Sequence, residues 1–123
     1  MDDLTVDNII TIHSGLIEQQ GGDSRILSEA NLHQMVFQVN LSADVFHKAA
    51  FVFFSFCAYP AFCEKNVETA QRIIGKILDT EGYWIDPENK ELPDLVHGVE
   101  SFSLEIEDLE DWLHRNAKKR AGG

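Results

Sequence analysis

The sequence predicts an all-α fold, a single helical domain built around one buried helix. Apolar residues recur three and four positions apart along most of the chain, which is typical of amphipathic helices. Residues 49–58 are apolar nearly all round, as expected for a helix that its neighbours cover on every side. No alternation of apolar and polar residues lasts long enough to indicate a strand. These observations favour one central helix with the other helices packed around it.

Two helices are expected before the central one. Thr5 is placed to cap the first, and the pair Gly21 and Gly22 is placed to stop it. His13 falls on the apolar face of this helix, where a buried, hydrogen-bonded histidine is the default expectation and a catalytic one the alternative. Ser28 is expected to open the second helix.

The central helix is expected to take Ser42 as its cap and to end at Pro60. Another amphipathic helix follows from Asn66, whose side chain is expected to cap it, and closes at Gly82. Two more helices are predicted, because apolar residues again recur at helical spacing. The residues on their apolar faces are Leu92, Leu95, Val96 and Val99 in the first, and Leu104, Ile106, Leu109, Trp112 and Leu113 in the second.

Length and charge limit the classes of function. The 123 residues are expected to form one domain, with residues 118–123 as a disordered tail. The net charge of −11 argues against nucleic acid, whose binders carry clustered Lys and Arg.

The apolar run at residues 49–62 has 14 positions, fewer than the ~20 that cross a bilayer, so no membrane partner is expected. The acidic start lacks the basic region of a signal peptide, which favours a cytoplasmic location.

The two cysteines, Cys57 and Cys63, are expected to be free thiols because nothing in the sequence indicates secretion. Neither has a second ligand at a spacing typical of zinc sites. The chain is therefore expected to fold without disulfides or metals, and no cofactor is expected.

Several segments resemble one protein family. LTVDNIITIHSGLIEQQGG, ILSEANLHQMV, ADVFHKAAFVFFSF, ILDTEGYWI and IEDLEDWLHRNAKK resemble, in this order, segments of the death-on-curing (Doc) proteins of the Fic superfamily. The resemblance covers nearly the whole chain. It implies a helical domain that transfers AMP or phosphate from a nucleotide to a hydroxyl group of a target protein. It also implies a toxin that a partner antitoxin neutralises.

The family's active-site loop reads H-P-F-x-D/E-G-N-K-R-T-A, and each position has a chemical reason. The histidine is the base for the incoming hydroxyl, and the acidic residue holds a Mg²⁺ that bridges phosphates. The glycine and the following backbone N–H groups cradle phosphate at a helix N-terminus. The lysine and arginine grip the phosphate, the arginine through a bidentate fork.

Residues 60–70, PAFCEKNVETA, match this loop in part. Phe62, Glu64 and Asn66 match without gaps, as does the closing Thr-Ala pair. The histidine position holds Pro60, and Lys65 replaces the glycine. The two basic positions are also lost, since they hold Val67 and Glu68. A one-residue insertion brings Tyr59 to the histidine position and restores none of the missing groups.

These losses argue against transfer chemistry. Loss of a general base typically costs ~10² to 10⁴ in rate. Loss of the arginine removes charge-assisted hydrogen bonds worth roughly 1.5–3 kcal/mol each. The carboxylate of Glu68 would also repel a phosphate. The sequence therefore predicts no catalytic residues.

The matching residues have two interpretations. In one, Phe62, Glu64 and Asn66 are the remains of a nucleotide-binding loop. In the other their roles are structural: Phe62 packs the loop onto the core, Glu64 lies in the first turn of the next helix, and Asn66 caps that helix.

Three hypotheses about function follow. The first is a Doc-like, toxin–antitoxin-related protein that has lost nucleotide transfer and binds or regulates a protein partner. The alternative is an atypical transferase, with ATP and a Mg²⁺ held by Glu64 and a base from His13 or His47. The third is a structural or oligomer subunit without a ligand.

The partner expected under the first hypothesis is an antitoxin-like segment that lies as a helix in a groove. Tyr59, Phe62 and Trp84 are the candidate contact residues, and the acidic surface favours a segment rich in Lys or Arg. Self-association to a homo-oligomer is the simpler use of the same residues.

Overall fold

The computed structural model describes residues 3–120, which fold mainly as helices. Two strands of two residues each complete the described part of the chain. The all-α prediction is confirmed. The helices are α1 (Val6–Gln20), α2 (Glu29–Asn40), α3 (Val45–Ala58), α4 (Asn66–Asp79), α5 (Leu92–Glu100) and α6 (Ile106–Asn116), and the strands are β1 (Tyr83–Trp84) and β2 (Lys118–Lys119).

Helix α3 is the centre of the fold, as predicted. It packs against α2, α4, α5 and α6, and seven of its 14 residues are buried while the other seven are half-buried. Phe51 and Phe54 are among the half-buried residues. They lie where α3 faces α2 and leave one side of the central helix open.

The first two helices begin as their sequences predict, and the first also ends as predicted. The Thr5 side chain accepts a hydrogen bond from the Asn8 backbone N–H, and the Ser28 side chain accepts one from that of Asn31. Helix α1 stops at Gly21, which has a φ of 80° that other residues rarely adopt. These local signals are sufficient to position both helices.

The predicted cap of the central helix was wrong. Asp44, not Ser42, occupies the cap position, and its Oδ1 accepts from the backbone N–H groups of Phe46 and His47. Ser42 lies two residues earlier, where its hydroxyl accepts from the Asp44 N–H at 3.1 Å. Aspartate and serine cap helices about equally well, so the buried Val45 decides where the helix starts.

Strand β2 contradicts the expectation of a disordered tail at residues 118–120. It pairs antiparallel with β1, with Trp84 opposite Lys118 and Tyr83 opposite Lys119. The ammonium group of Lys119 lies 4.4 Å from the centre of the Tyr83 ring. Arg120 forms an ion pair with Asp79 at 2.8 Å. Residues 118–120 are therefore held against the domain, and residues 121–123 lie outside the described part of the chain.

Both cysteines are free thiols. Cys57 is buried in the last turn of α3, and burial raises the pKa of its thiol to about 12, with a smaller contribution from Glu100. Across residues 3–120, no helix combines the length and the apolar character that crossing a bilayer requires.

Candidate functional site

The candidate site is the α3–α4 loop, residues 59–65, which carries the partial match to the Fic motif. Helix α3 ends at Ala58, and the N–H of the following Tyr59 donates to the Ser55 carbonyl at 2.8 Å. Helix α4 starts after Lys65, which has a left-handed backbone conformation with φ of 65°. The loop therefore runs from the end of the central helix to the N-terminus of α4, as the sequence predicts.

Phe62 fixes the loop to the core. Its side chain is 1% exposed and stacks on the His13 ring, with 3.6 Å between the ring centres and 6° between the planes. It also lies parallel to Phe56 in the central helix. The expected packing role of Phe62 is confirmed, and its burial removes it from any contact surface.

His13 is the buried, hydrogen-bonded histidine that its position predicts. Its Nε2 lies 2.8 Å from the backbone oxygen of Glu64. Because a carbonyl oxygen can only accept, Nε2 carries the proton in this contact. This nitrogen is thus engaged in holding the loop.

Asn66 does not cap α4, contrary to expectation. It is the first residue of the helix, and its side chain turns back to Phe62. Its Oδ1 accepts from the Phe62 N–H at 3.1 Å, and its Nδ2 donates to the Phe62 carbonyl at 2.9 Å. The pair closes a ring that fixes the turn, because both backbone groups of Phe62 are satisfied by one side chain.

Glu64 lies in the loop and not, as expected, in the first turn of α4. Its Oε2 accepts a hydrogen bond from the backbone N–H of Asp23. A Cβ atom added at Gly22 would come within 2.9 Å of the same oxygen, so the carboxylate fits here because residue 22 has no side chain. The carboxylate is thus directed to the chain after α1.

A short segment that the sequence analysis missed covers the loop. Residues 25–28, here called the strap, run antiparallel to the loop, with Ile26 opposite Phe62. The Ala61 carbonyl accepts from the N–H groups of Leu27 and Ser28, at 2.7 and 3.1 Å. The Cys63 N–H donates to the Arg25 carbonyl at 3.0 Å. These bonds engage the Ala61 carbonyl and the Cys63 N–H of the loop.

Both positive side chains near the loop are paired with carboxylates. Arg25 binds Asp23 through Nε and Nη2, the latter at 2.6 Å. Hydrogen bonds from the Arg25 side chain and backbone lower the pKa of the Asp23 carboxyl far below its usual range, and the same pair raises the pKa of the Arg25 guanidinium. Lys65 Nζ lies 3.9 Å from a Glu68 carboxylate oxygen. A phosphate at this place would have to compete with both carboxylates.

His47, the other base considered from the sequence, lies far from the loop. It sits in the first turn of α3, about 16 Å from the end of that helix at a rise of 1.5 Å per residue. Its Nδ1 contacts a carboxylate oxygen of Glu110 at 3.2 Å. Within residues 3–120, no group of three or more His, Cys, Asp or Glu side chains is arranged to hold a metal ion.

The three residues proposed as one contact surface do not lie together. Tyr59 is 61% exposed at the C-terminal end of α3. Trp84 belongs to β1, whose Tyr83 packs on Phe46 at the N-terminal end of the same helix. Since α3 is about 20 Å long, Tyr59 and Trp84 are separated by roughly that length.

Tyr59 instead ends an open groove of about 560 Å³ between α2 and α3. Its ring packs edge-on against Phe54 at 6.4 Å between centres. The side chains of Asn31, Gln34 and Gln38 supply uncharged polar groups. The apolar lining consists of Leu32, Met35, Phe51, Phe54, Phe56, Tyr59, Ala61 and Ile106.

No protein-family model matches the chain, and no curated protein matches it. The resemblance to Doc proteins therefore stays a prediction that rests on the segments quoted above. The groove residues of α3 had a signal in the sequence, the excess of aromatic residues on the central helix. The strap had none that periodicity could detect, because its pairing involves so few residues.

Proposed function

We propose that this protein is a Doc-like helical domain that has lost nucleotide transfer and binds a protein partner in the groove between α2 and α3. One observation carries the proposal: the central helix leaves Phe51 and Phe54 half-buried and Tyr59 exposed along an open groove. Exposed aromatic side chains along an open groove are typical of interaction sites.

The arrangement of the α3–α4 loop supports the loss of transfer. The three residues that match the Fic motif are engaged within the chain: Phe62 with His13, Asn66 with the Phe62 backbone, and Glu64 with Asp23. In a working site the carboxylate at position 64 would be free to hold Mg²⁺, and the phosphate would meet free positive charge. Here the positive charges are neutralised, so binding a triphosphate would require breaking ion pairs.

The expected occupant of the groove is an amphipathic helix with a basic outer face. Helix α2 has 12 residues and so offers a groove about 18 Å long, enough for roughly three turns of a bound helix. Apolar side chains at helical spacing would cover Phe51 and Phe54, while the amides of Gln34 and Gln38 border the complex. The net charge of −11 favours a partner rich in Lys or Arg through steering and complementarity.

A matched pair of variants tests the groove. Gln34→Arg with Gln38→Arg places two positive charges where a basic helix would bind. Gln19→Arg with Gln20→Arg makes the same change on exposed positions of α1, outside the groove. Tagged parent and control are expected to retain the same partner from the native lysate, and the groove variant is expected to lose it. Retention by all three proteins would exclude the groove.

Nucleotide titrations test the loss of transfer. Calorimetry with Mg-ATP and with Mg-GTP is expected to give no saturable heat. Radiolabelled nucleotide and lysate are expected to give no labelled protein above a control without this protein. A labelled band that disappears on Glu64→Ala would support the atypical transferase instead. Size-exclusion chromatography with light scattering tests the third hypothesis, in which the chain is an oligomer subunit. If the parent is a homo-oligomer and Gln34→Arg with Gln38→Arg dissociates it, the groove serves self-association.

A further inference from the structure

A separate apolar cavity of about 70 Å³ lies among α4, α5 and α6. Helix α3 and the residues after β1 also contribute to its walls. The side chains that bound it are large and apolar with few exceptions. They include Phe53, Ile74, Leu78, Leu95, Leu109 and Trp112.

The cavity offers too few polar groups to hold water. A buried water needs roughly 10–15 Å³ and two to four polar partners. The volume is sufficient, but the polar lining side chains are those of Gln71 and Trp112. The Trp112 indole N–H already donates to the Glu91 carboxylate at 2.5 Å. Atoms that line an unfilled apolar space lose dispersion contacts, which an apolar ligand would restore.

The cavity opens outward beside Gly75. This glycine is exposed in the middle of α4, and a Cβ atom built on it would meet nothing within 4 Å. Gln71, Pro87 and Leu92 line both the cavity and an open cleft of about 500 Å³. A ligand with its apolar end in the cavity can therefore place its other end in the cleft.

The cleft favours an uncharged polar group at that end. Its charged residues are Glu88 and Lys90, whose charges oppose each other. Within residues 3–120 the amide of Gln71 makes no hydrogen bond to another residue of the chain, although it lines both spaces. It can donate to and accept from a hydroxyl or an amide. A carboxylate end would also meet the overall net charge of −11.

We propose that this cavity and cleft bind a small uncharged amphiphile, a short aliphatic chain that ends in a hydroxyl or amide. The chain enters between Ile74, Leu95 and Leu109, and the polar end bonds to Gln71. The site is independent of the α2–α3 groove, because the two share no lining residue.

Titration with 1-hexanol tests the proposal. Trp84→Phe leaves Trp112 as the single tryptophan, so its fluorescence reports on the cavity wall. We expect a saturable change in emission. In ¹⁵N-labelled parent protein, amide shifts are expected at Ile74, Leu95 and Leu109. No shifts are expected at Leu32 in the other groove.

Two glycine variants provide the matched comparison. Gly75→Leu adds a branched side chain at the opening and is expected to weaken 1-hexanol binding by about tenfold or more, since it occupies the ligand's space. Gly15→Leu makes the same change within α1, where an added Cβ also meets nothing within 4 Å. Its affinity is expected to equal that of the parent. Both variants replace a helical glycine by leucine and so gain the same helix propensity, and a difference in affinity between them therefore does not come from helix propensity.

Hexanoate tests the charge of the polar end. It has the same number of carbons as 1-hexanol and is expected to bind about tenfold more weakly or worse at neutral pH, because its carboxylate would lose hydration in the cleft while Glu88 offsets the attraction of Lys90. Equal affinity would overturn the uncharged class.

Three results would overturn the site itself. These are the absence of saturation by 1-hexanol, amide shifts confined to the α2–α3 groove, and unchanged affinity in folded Gly75→Leu. If circular dichroism shows that Gly75→Leu is unfolded, the amide shift map of the parent decides alone.

Discussion

The α3–α4 loop and the α2–α3 groove lie next to each other and differ in what their side chains contact. In the loop, Phe62 stacks on His13 and Glu64 binds Asp23, and Asn66 at the start of α4 bonds back to the loop. In the groove, Phe51 and Tyr59 retain exposed apolar surface. Groups that are already satisfied stabilise the fold, whereas uncovered apolar groups can still gain from binding. We therefore expect changes in the loop to lower the stability of the fold and changes in the groove to weaken the binding of a partner.

The largest expected effect is the loss of the loop's aromatic anchor. Phe62→Ala removes a fully buried ring that stacks on His13, and a Phe→Ala change in a core costs about 3–5 kcal/mol. Urea denaturation followed by circular dichroism measures the free energy of unfolding. Phe37→Ala is the matched control, because Phe37 is 63% exposed and its loss should cost under about 0.5 kcal/mol. Equal costs would contradict the structural assignment of the loop.

The sequence predicts the fold better than it predicts the site. The order of the helices, the buried central helix and the roles of Thr5 and Ser28 follow from periodicity and capping, which are local. The cap at Asp44 was missed because serine and aspartate give similar signals two residues apart. The pairing of β2 with β1 was missed because two-residue strands show no alternation.

The site was partly predictable, again where its features depend on local sequence. The packing of Phe62 and the burial of His13 follow from their apolar surroundings. The bond from Asp23 to Glu64 joins residues 41 positions apart, which no local pattern encodes. The groove depends on how closely α2 approaches α3, and this spacing is a property of the packed fold.

A smaller effect is expected from the hydrogen bonds that close the loop. Asn66→Ala removes two bonds to the Phe62 backbone, at 2.9 and 3.1 Å, and leaves half-buried groups unpaired. The expected loss is about 1–3 kcal/mol in the free energy of unfolding. Asn8→Ala lies in the first turn of α1 and is the control, since no side-chain bond of Asn8 is seen within residues 3–120. A loss no larger than that of the control would show that the Asn66 bonds do not fix the turn.

The groove should show the reverse pattern, with little effect on stability and a large one on binding. Tyr59→Ala removes an exposed ring with one aromatic neighbour and is expected to cost roughly 0.5–1.5 kcal/mol. The same variant is expected to lose the partner captured by the parent protein. Tyr83→Ala, at the other end of α3, should retain that partner despite its packing on Phe46. Capture by Tyr59→Ala at the parent's level would place the binding site elsewhere.

The smallest effect concerns the ion pair beside the strap. Hydrogen bonds from Arg25 lower the folded-state pKa of Asp23 below its ordinary value of 3.8. A lowered pKa means that the pair stabilises the fold above pH 3.8 and that this contribution is lost as the pH falls toward the folded-state value.

Asp23→Asn should therefore be slightly less stable than the parent at neutral pH, and the difference should shrink below pH 3.8. Chemical denaturation at a series of pH values measures it, and added salt should reduce it because the pair lies at the surface. Arg25→Gln should weaken the same pH dependence without removing it, since the backbone N–H of residue 25 still donates to Asp23 Oδ1. A difference that grows in acid would show that Asp23 is not held as a carboxylate by Arg25.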